Sequence, residues 1–123
     1  MSRIEISDFH VHVYYGPDTR ASAARIRGAL TEHFKAEPGP WRDEPIGPHP
    51  HAQYQVKFAP RQFGDVVPWL MLHHEGLAVL IHPSTGDAVR DHTEHALWLG
   101  TRLELNVDLL RRLEAARAAG RIA

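Results

Sequence analysis

Four short knots of histidine carry the chemistry open to this chain: His10-Val11-His12, Pro48-His49-Pro50-His51, His82-Pro83 and Asp91-His92-Thr93-Glu94-His95. Imidazole is the commonest metal ligand and trades protons near neutral pH. There are 10 histidines and no cysteine, which excludes thiolate metal sites, disulfides and thiol nucleophiles together. His10 and His12 are two apart in an alternating segment, so both rings leave one face of a strand, roughly 6.5 Å apart along it. That spacing suits two ligands of one metal, or one ligand and one acid–base group. His49 lies between two prolines. Each proline fixes its own φ and restrains the residue before it, so the ring is held ready for a ligand. His82 closes an apolar run and has the parity of Leu80, so it comes beside His10 and His12 if its strand neighbours theirs. His92 and His95, three apart, suit one face of a turn as ligands, proton shuttles or loop polar groups. His51 lacks the double proline brace, and His33, His73 and His74 read as solvated helix residues. Asp8, Asp87, Asp91 and Glu94 stand near the knots. One of them could complete a two-histidine, one-carboxylate triad, and an all-histidine site is also open.

The elements that must position these residues follow from periodicity. From Asp8 to Tyr15 apolar and polar residues alternate, with Phe9, Val11 and Val13 opposite His10, His12 and Tyr14, which is a strand with two different faces. From Thr19 to Glu37 the steps become three and four, through Ala23, Ile26, Leu30 and Phe34. That is an amphipathic helix with Asp18 or Thr19 as N-cap, stopped by Pro38-Gly39-Pro40. Trp41 to Glu44 fits a short edge strand and Gln53 to Ala59 a full one. A second helix runs from Pro60 to about His74, with Pro68 expected to start or kink part of it. Leu77 to Ile81 is a buried strand. Asp91 to Leu105 reads as a loop, then a strand through Ala96 to Leu99. Val107 to Ala119 is a helix, capped by Asn106 and stopped by Gly120. Two helices among antiparallel strands give an α+β, ferredoxin-like sandwich: an antiparallel sheet with helices on one face, plus a C-terminal helix. The face bearing His10 and His12 is then left open, and a homodimer over that face or its rim is expected, because bare apolar faces are rarely left to water.

Composition bounds the rest. The 123 residues suit one domain, residues 1–123, with 43% hydrophobic residues for its core. Charge nearly balances at −1, and no basic stripe with interleaved aromatics points to nucleic acid. No apolar run reaches the roughly 20 residues that span a bilayer, and the start lacks the apolar stretch of a signal peptide. With no cysteine, a cytoplasmic location is expected. No P-loop, nucleophile elbow or Gly-x-Gly-x-x-Gly occurs.

The ordered series of motifs resembles the DOPA dioxygenase family of aromatic ring-opening enzymes. It comprises Asp8-Phe9-His10-Val11-His12-Val13-Tyr14-Tyr15, Gly47-Pro48-His49-Pro50 with Tyr54-Gln55-Val56, and Pro68-Trp69-Leu70. It continues with Leu77 to Asp87 and with Asp91-His92-Thr93-Glu94-His95-Ala96-Leu97-Trp98-Leu99-Gly100. The resemblance spans Ile6 to Leu105. It implies a small ferredoxin-like domain that opens catechol rings by extradiol cleavage of a DOPA-like aromatic, using Fe(II) and O2. Convergence of the knots places the metal on His12, His49 and His82, with His10 as alternate ligand or acid–base group and His92 and His95 as catalytic residues. Tyr14, Tyr54 and Trp98 are candidates to line the ring pocket, and each also suits core packing. Two rival readings stand beside this one. One is a protein that binds a metal or an aromatic ligand without turnover; the other is a small zinc hydrolase, since three histidines and a water also describe catalytic zinc.

Overall fold

The computed structural model of the chain describes residues 4–122. Its elements run β1 (Phe9–Tyr15), α1 (Arg20–Glu32), β2 (Glu37–Pro38), β3 (Ala52–Phe58), α2 (Phe63–His73), β4 (Val79–Pro83), α3 (Ala88–Asp91), β5 (Leu97–Leu99) and α4 (Val107–Ile122). The strands form one sheet in the order β2-β3-β1-β4-β5, every pair antiparallel. The first four strands with α1 and α2 have the ferredoxin-like order expected from the alternation of periods, and β5 extends the sheet beyond β4.

Side-chain parity splits the sheet into two faces. Val11, Val13 and Tyr15 of β1, Tyr54, Val56 and Phe58 of β3, and Val79 and Ile81 of β4 meet Ala23, Ile26 and Leu30 of α1 and Val66, Val67 and Leu70 of α2 in one apolar core. Ala23, Ile26 and Leu30 fall at three- and four-residue steps, and Leu70 lies three and four residues beyond Val67 and Val66, so each helix buries one stripe. Tyr54 can enter this core because its hydroxyl donates to the Ala23 carbonyl, 2.6 Å away. That places Tyr54 under the helices, away from any ring pocket on the histidine face.

Several boundaries differ from those the sequence suggests. α1 stops at Glu32, and Lys35 takes a positive φ of 57° that turns the chain into β2 at Glu37–Pro38. Trp41 to Glu44 contributes only one bridge, Arg42 to Gln53. Pro68 sits inside an unbroken α2 on its exposed side. There its ring costs one helical hydrogen bond without meeting the core. β4 is shifted to Val79–Pro83, so that His82 lies within the strand. Ala88 to Asp91, given no element by the sequence reading, holds α3, whose first turn is capped by the Asp87 carboxylate accepting from the Arg90 N–H at 3.1 Å. Asn106 caps α4 as expected, its side-chain oxygen accepting from Leu109 N–H. Gly120 does not stop that helix, which continues to Ile122.

The face carrying His12 is not left open. The turn around His49 and the α3 segment lie over it, and α4 is tied to the turn by the Asn106 N–H donating to the Pro48 carbonyl at 2.8 Å. Tyr14, Leu80, His12 and His82 are consequently buried within the single chain. The part of that face around His12 and His82 is covered by the chain's own loops. Among the described residues no helix is long and apolar enough to cross a membrane.

Candidate metal centre

Strand register brings the first histidines together. β1 and β4 pair with His10 opposite His82 and His12 opposite Leu80. One ligand atom each from His10, His12 and His82 lies within 4.8 Å of the others. The turn and the α3 segment then lower two more rings onto the group. The His49 ring stands 4.4 Å from that of His12, and the His92 ring 4.1 Å from that of His82.

Hydrogen bonds fix which nitrogen of each ring faces the centre. His12 Nδ1 donates to Gln53 Oε1 at 2.8 Å and His82 Nδ1 to the Pro83 carbonyl at 2.9 Å. His92 Nδ1 donates to the Ala88 carbonyl at 2.6 Å. Carbonyl oxygens only accept, so these Nδ1 atoms carry the proton and the Nε2 atoms are left with lone pairs. The Nε2 atoms of His12 and His82 nevertheless stand 3.2 Å apart. Two bare lone pairs at that distance repel. A divalent ion between them removes the repulsion, and the gap fits two metal–nitrogen bonds of about 2.0–2.1 Å. The residues present therefore fit a metal ion.

Electrostatics point the same way. Burial holds the His12 pKa well below the usual imidazole value, with the nearby His49 and His82 adding to the effect. Burial, then His92, lowers His49 to about 4, and the same two causes lower His82 to about 3. His10, more exposed, is also lowered by burial, against the opposing pull of Asp8. These imidazoles are neutral at physiological pH, which is the form that ligates metals.

Residues 9–109 match the Dopa 4,5-dioxygenase family. The chain belongs to that family. It is 38% identical over 124 residues to an uncharacterized 21.2 kDa protein of Botryotinia fuckeliana, covering 90% of this chain and 67% of that one. It is 30% identical over 112 residues to a DOPA 4,5-dioxygenase of Amanita muscaria, covering 84% of this chain. The chain spans about half the length of the Amanita protein (49%). Among solved structures, a candidate dioxygenase from Nostoc punctiforme superposes with a TM-score of 0.88 at 54% identity, covering 92% of this chain and 98% of that one.

Within this family member the knots are distributed unevenly. One group of three whose ligand atoms converge is His10, His12 and His82, where the knots alone suggested His12, His49 and His82. His49 is instead the fourth ring over the centre, its Nδ1 2.7 Å from the Tyr14 hydroxyl. His92 faces the cluster, but His95 does not share that site. Its Nδ1 is 3.3 Å from the Asp91 carboxylate, and its ring lines an apolar pocket with Ile6, Phe9, Phe63, Ile81 and Leu97. The turn that was expected to present the two rings together separates them. His33, His51 and His73 are exposed.

The carboxylates near the knots are engaged elsewhere. Asp91 is buried and accepts from Thr85 N–H at 2.9 Å and Thr85 Oγ1–H at 2.6 Å. Asp87 caps α3, and Glu94 pairs with Arg90 at 2.9 Å. Asp8 Oδ1 stands 3.2 Å from His10 Nε2. The first layer around the centre is thus built of imidazoles. Gln53, which orients His12, was not among the residues singled out by sequence. Its signal was parity alone: with Tyr54, Val56 and Phe58 in the core, Gln53 must share the histidine face.

Proposed function

We propose that this chain is a non-heme Fe(II) extradiol dioxygenase that opens a catechol-type, DOPA-like aromatic ring with O2. The observation that carries the reading is the pair of Nε2 lone pairs on His12 and His82, 3.2 Å apart and ringed by three further imidazoles, in a member of the Dopa 4,5-dioxygenase family. His10, His12 and His82 would hold the ion, and His49 stands ready as a fourth donor or as a contact to the substrate. Bound Fe(II) supplies Lewis acidity, which lowers the pKa of a catechol hydroxyl, and the redox capacity for dioxygen chemistry.

The chain's own residues do the remainder. His92 has its Nδ1 proton committed to the Ala88 carbonyl. Its Nε2 is free to take a proton from a catechol hydroxyl and return it later, which is general acid–base catalysis. His95, turned toward Asp91, suits a structural role better than this one. Tyr14 fixes the His49 ring through its hydroxyl, and Trp98 stacks on Tyr14 with ring centroids 5.8 Å apart. Trp98, which covers Tyr14, also lines the cavity beside His92, where an aromatic substrate would lie against it. The sheet below and the loops above exclude bulk water from His12 and His82, keeping both rings neutral.

Anaerobic loading with Fe(II), followed by a catechol and air, tests the reading. One O2 should be consumed per catechol, with both oxygen atoms entering a yellow ring-opened product. Tight metal binding without oxygen uptake would favour a non-catalytic binder, and hydrolysis of an ester by the zinc form would favour a hydrolase.

A further inference from the structure

We propose that Arg102 is the specificity-determining residue of this site, pairing with a carboxylate carried on the side chain of the catechol. This deepens the ring-opening reading above and rests on it for the identity of the ring. A cavity of about 220 Å³ opens beside the imidazole cluster, lined by His92, Thr93, Trp98, Arg102, Glu104 and Leu105 among others. Two of its walls belong to the centre already described. The His92 ring lies 4.1 Å from that of His82, and Trp98 stacks on Tyr14. A ring bound at the imidazoles therefore has this cavity as the place for its substituent.

Arg102 is the cation in that cavity. Among the described residues, Arg20, Arg25, Arg90 and Arg111 each lie within 4.0 Å of a carboxylate, and Arg102 forms no such ion pair. A guanidinium offers a planar fork that matches a carboxylate with two parallel hydrogen bonds. Glu104 lies in the same wall. Its like charge weakens the hold on a lone carboxylate, whereas an ammonium group next to that carboxylate would meet Glu104 as a partner.

The segment that presents Arg102 is fixed at both ends. Before it, Gly100 takes a positive φ of 70°, where a Cβ would stand 2.7 Å from the Leu77 carbonyl oxygen. After it, the Asn106 N–H is bonded to the Pro48 carbonyl. The guanidinium is thus carried on a positioned strap rather than a free loop. A metal held by the imidazoles would bind any catechol, so discrimination between substituents falls to the cavity.

The test compares 3,4-dihydroxyphenylpropionate with 4-methylcatechol, on the parent chain, Arg102→Gln and Arg102→Lys. The kcat/KM for each catechol is measured on Fe(II)-loaded protein. Binding of the acid is measured by calorimetry on the same protein without dioxygen. In Arg102→Gln the preference for the acid over 4-methylcatechol should fall about tenfold or more, chiefly through KM, as loss of a charge-assisted pair implies. Arg102→Lys should restore part of it. An unchanged preference overturns the proposal. If the parent opens neither catechol, the ring-opening reading has failed and calorimetry decides the anchor. A comparable loss of acid affinity in Arg102→Gln supports it. Equal affinity in parent and variant, or no binding of the acid to either, overturns it.

Discussion

Gln53 decides which nitrogen His12 offers, although it would touch no metal itself. Its side-chain oxygen takes the Nδ1 proton and turns Nε2 toward His82. Groups that orient a ligand in this way are typically worth about 10–100-fold in metal affinity. Gln53→Ala should therefore lower affinity for Fe(II) or Zn(II) by roughly that factor, measured by competition with a chelator. His12→Ala and His82→Ala should abolish stoichiometric binding. Unaltered affinity in all three variants would remove the centre from these residues. His92 makes the complementary case. His92→Ala should keep the metal but lose about 10²-fold or more in ring-opening rate if general acid–base catalysis is lost. A parent-like rate would hand the proton to His49.

At the scale of elements, two strand pairings and one strap build the site. β1 against β4 sets His10 opposite His82, and a slip of one residue would send every histidine of β1 into the helix-covered core. Leu70 of α2 helps hold that register from below, with no exposed surface. Leu70→Ala should cost about 2–5 kcal/mol by cavity formation, read from urea unfolding. The strap over the histidine face depends on Gly100. A Cβ there would lie 2.7 Å from the Leu77 carbonyl oxygen, at a φ of 70° that side chains rarely adopt. Gly100→Ala should destabilise the protein by about 1–3 kcal/mol through this strain, and should disturb the cavity beside His92 more than the core. A thermal midpoint equal to the parent's would show that the strap yields at no cost.

For the whole molecule, burying neutral imidazoles makes stability depend on pH with a definite sign. His12, His49 and His82 have folded pKa values below the ordinary 6.5, His49 at about 4 and His82 at about 3. In the unfolded chain each takes up a proton near the ordinary value. Between the two values the unfolded state binds more protons, so stability rises with pH there. The contribution is fully present above about 6.5 and is lost as pH falls through the window toward the folded values. The metal-free protein should keep a flat thermal midpoint between about pH 8 and 7, then lose stability steadily below about 6. A saturating divalent metal should raise the midpoint, because only the folded chain assembles the site. A midpoint that stays level down to about pH 5 would mean that the cluster is hydrated rather than buried.

Local periodicity determined most of the fold. The alternation from Phe9 to Tyr15 and the three- and four-residue steps of Ala23, Ile26 and Leu30 each record which side of an element must leave water, and that information is contained in neighbouring residues. The same alternation placed His10 and His12 on one face and gave His82 the matching parity. Tertiary structure alone decided the rest, because the relevant distances cross between segments far apart in the chain. The pairing of β1 with β4 put His12 Nε2 beside His82 Nε2 across 70 residues. The descent of the His49 turn and the α3 segment closed the face that parity left open. The four-residue helix α3 is too short to carry a periodic signal, and its turn sent His92 to the centre and His95 to an apolar pocket. Spacing three apart could not separate the two rings; the packing of their surroundings did.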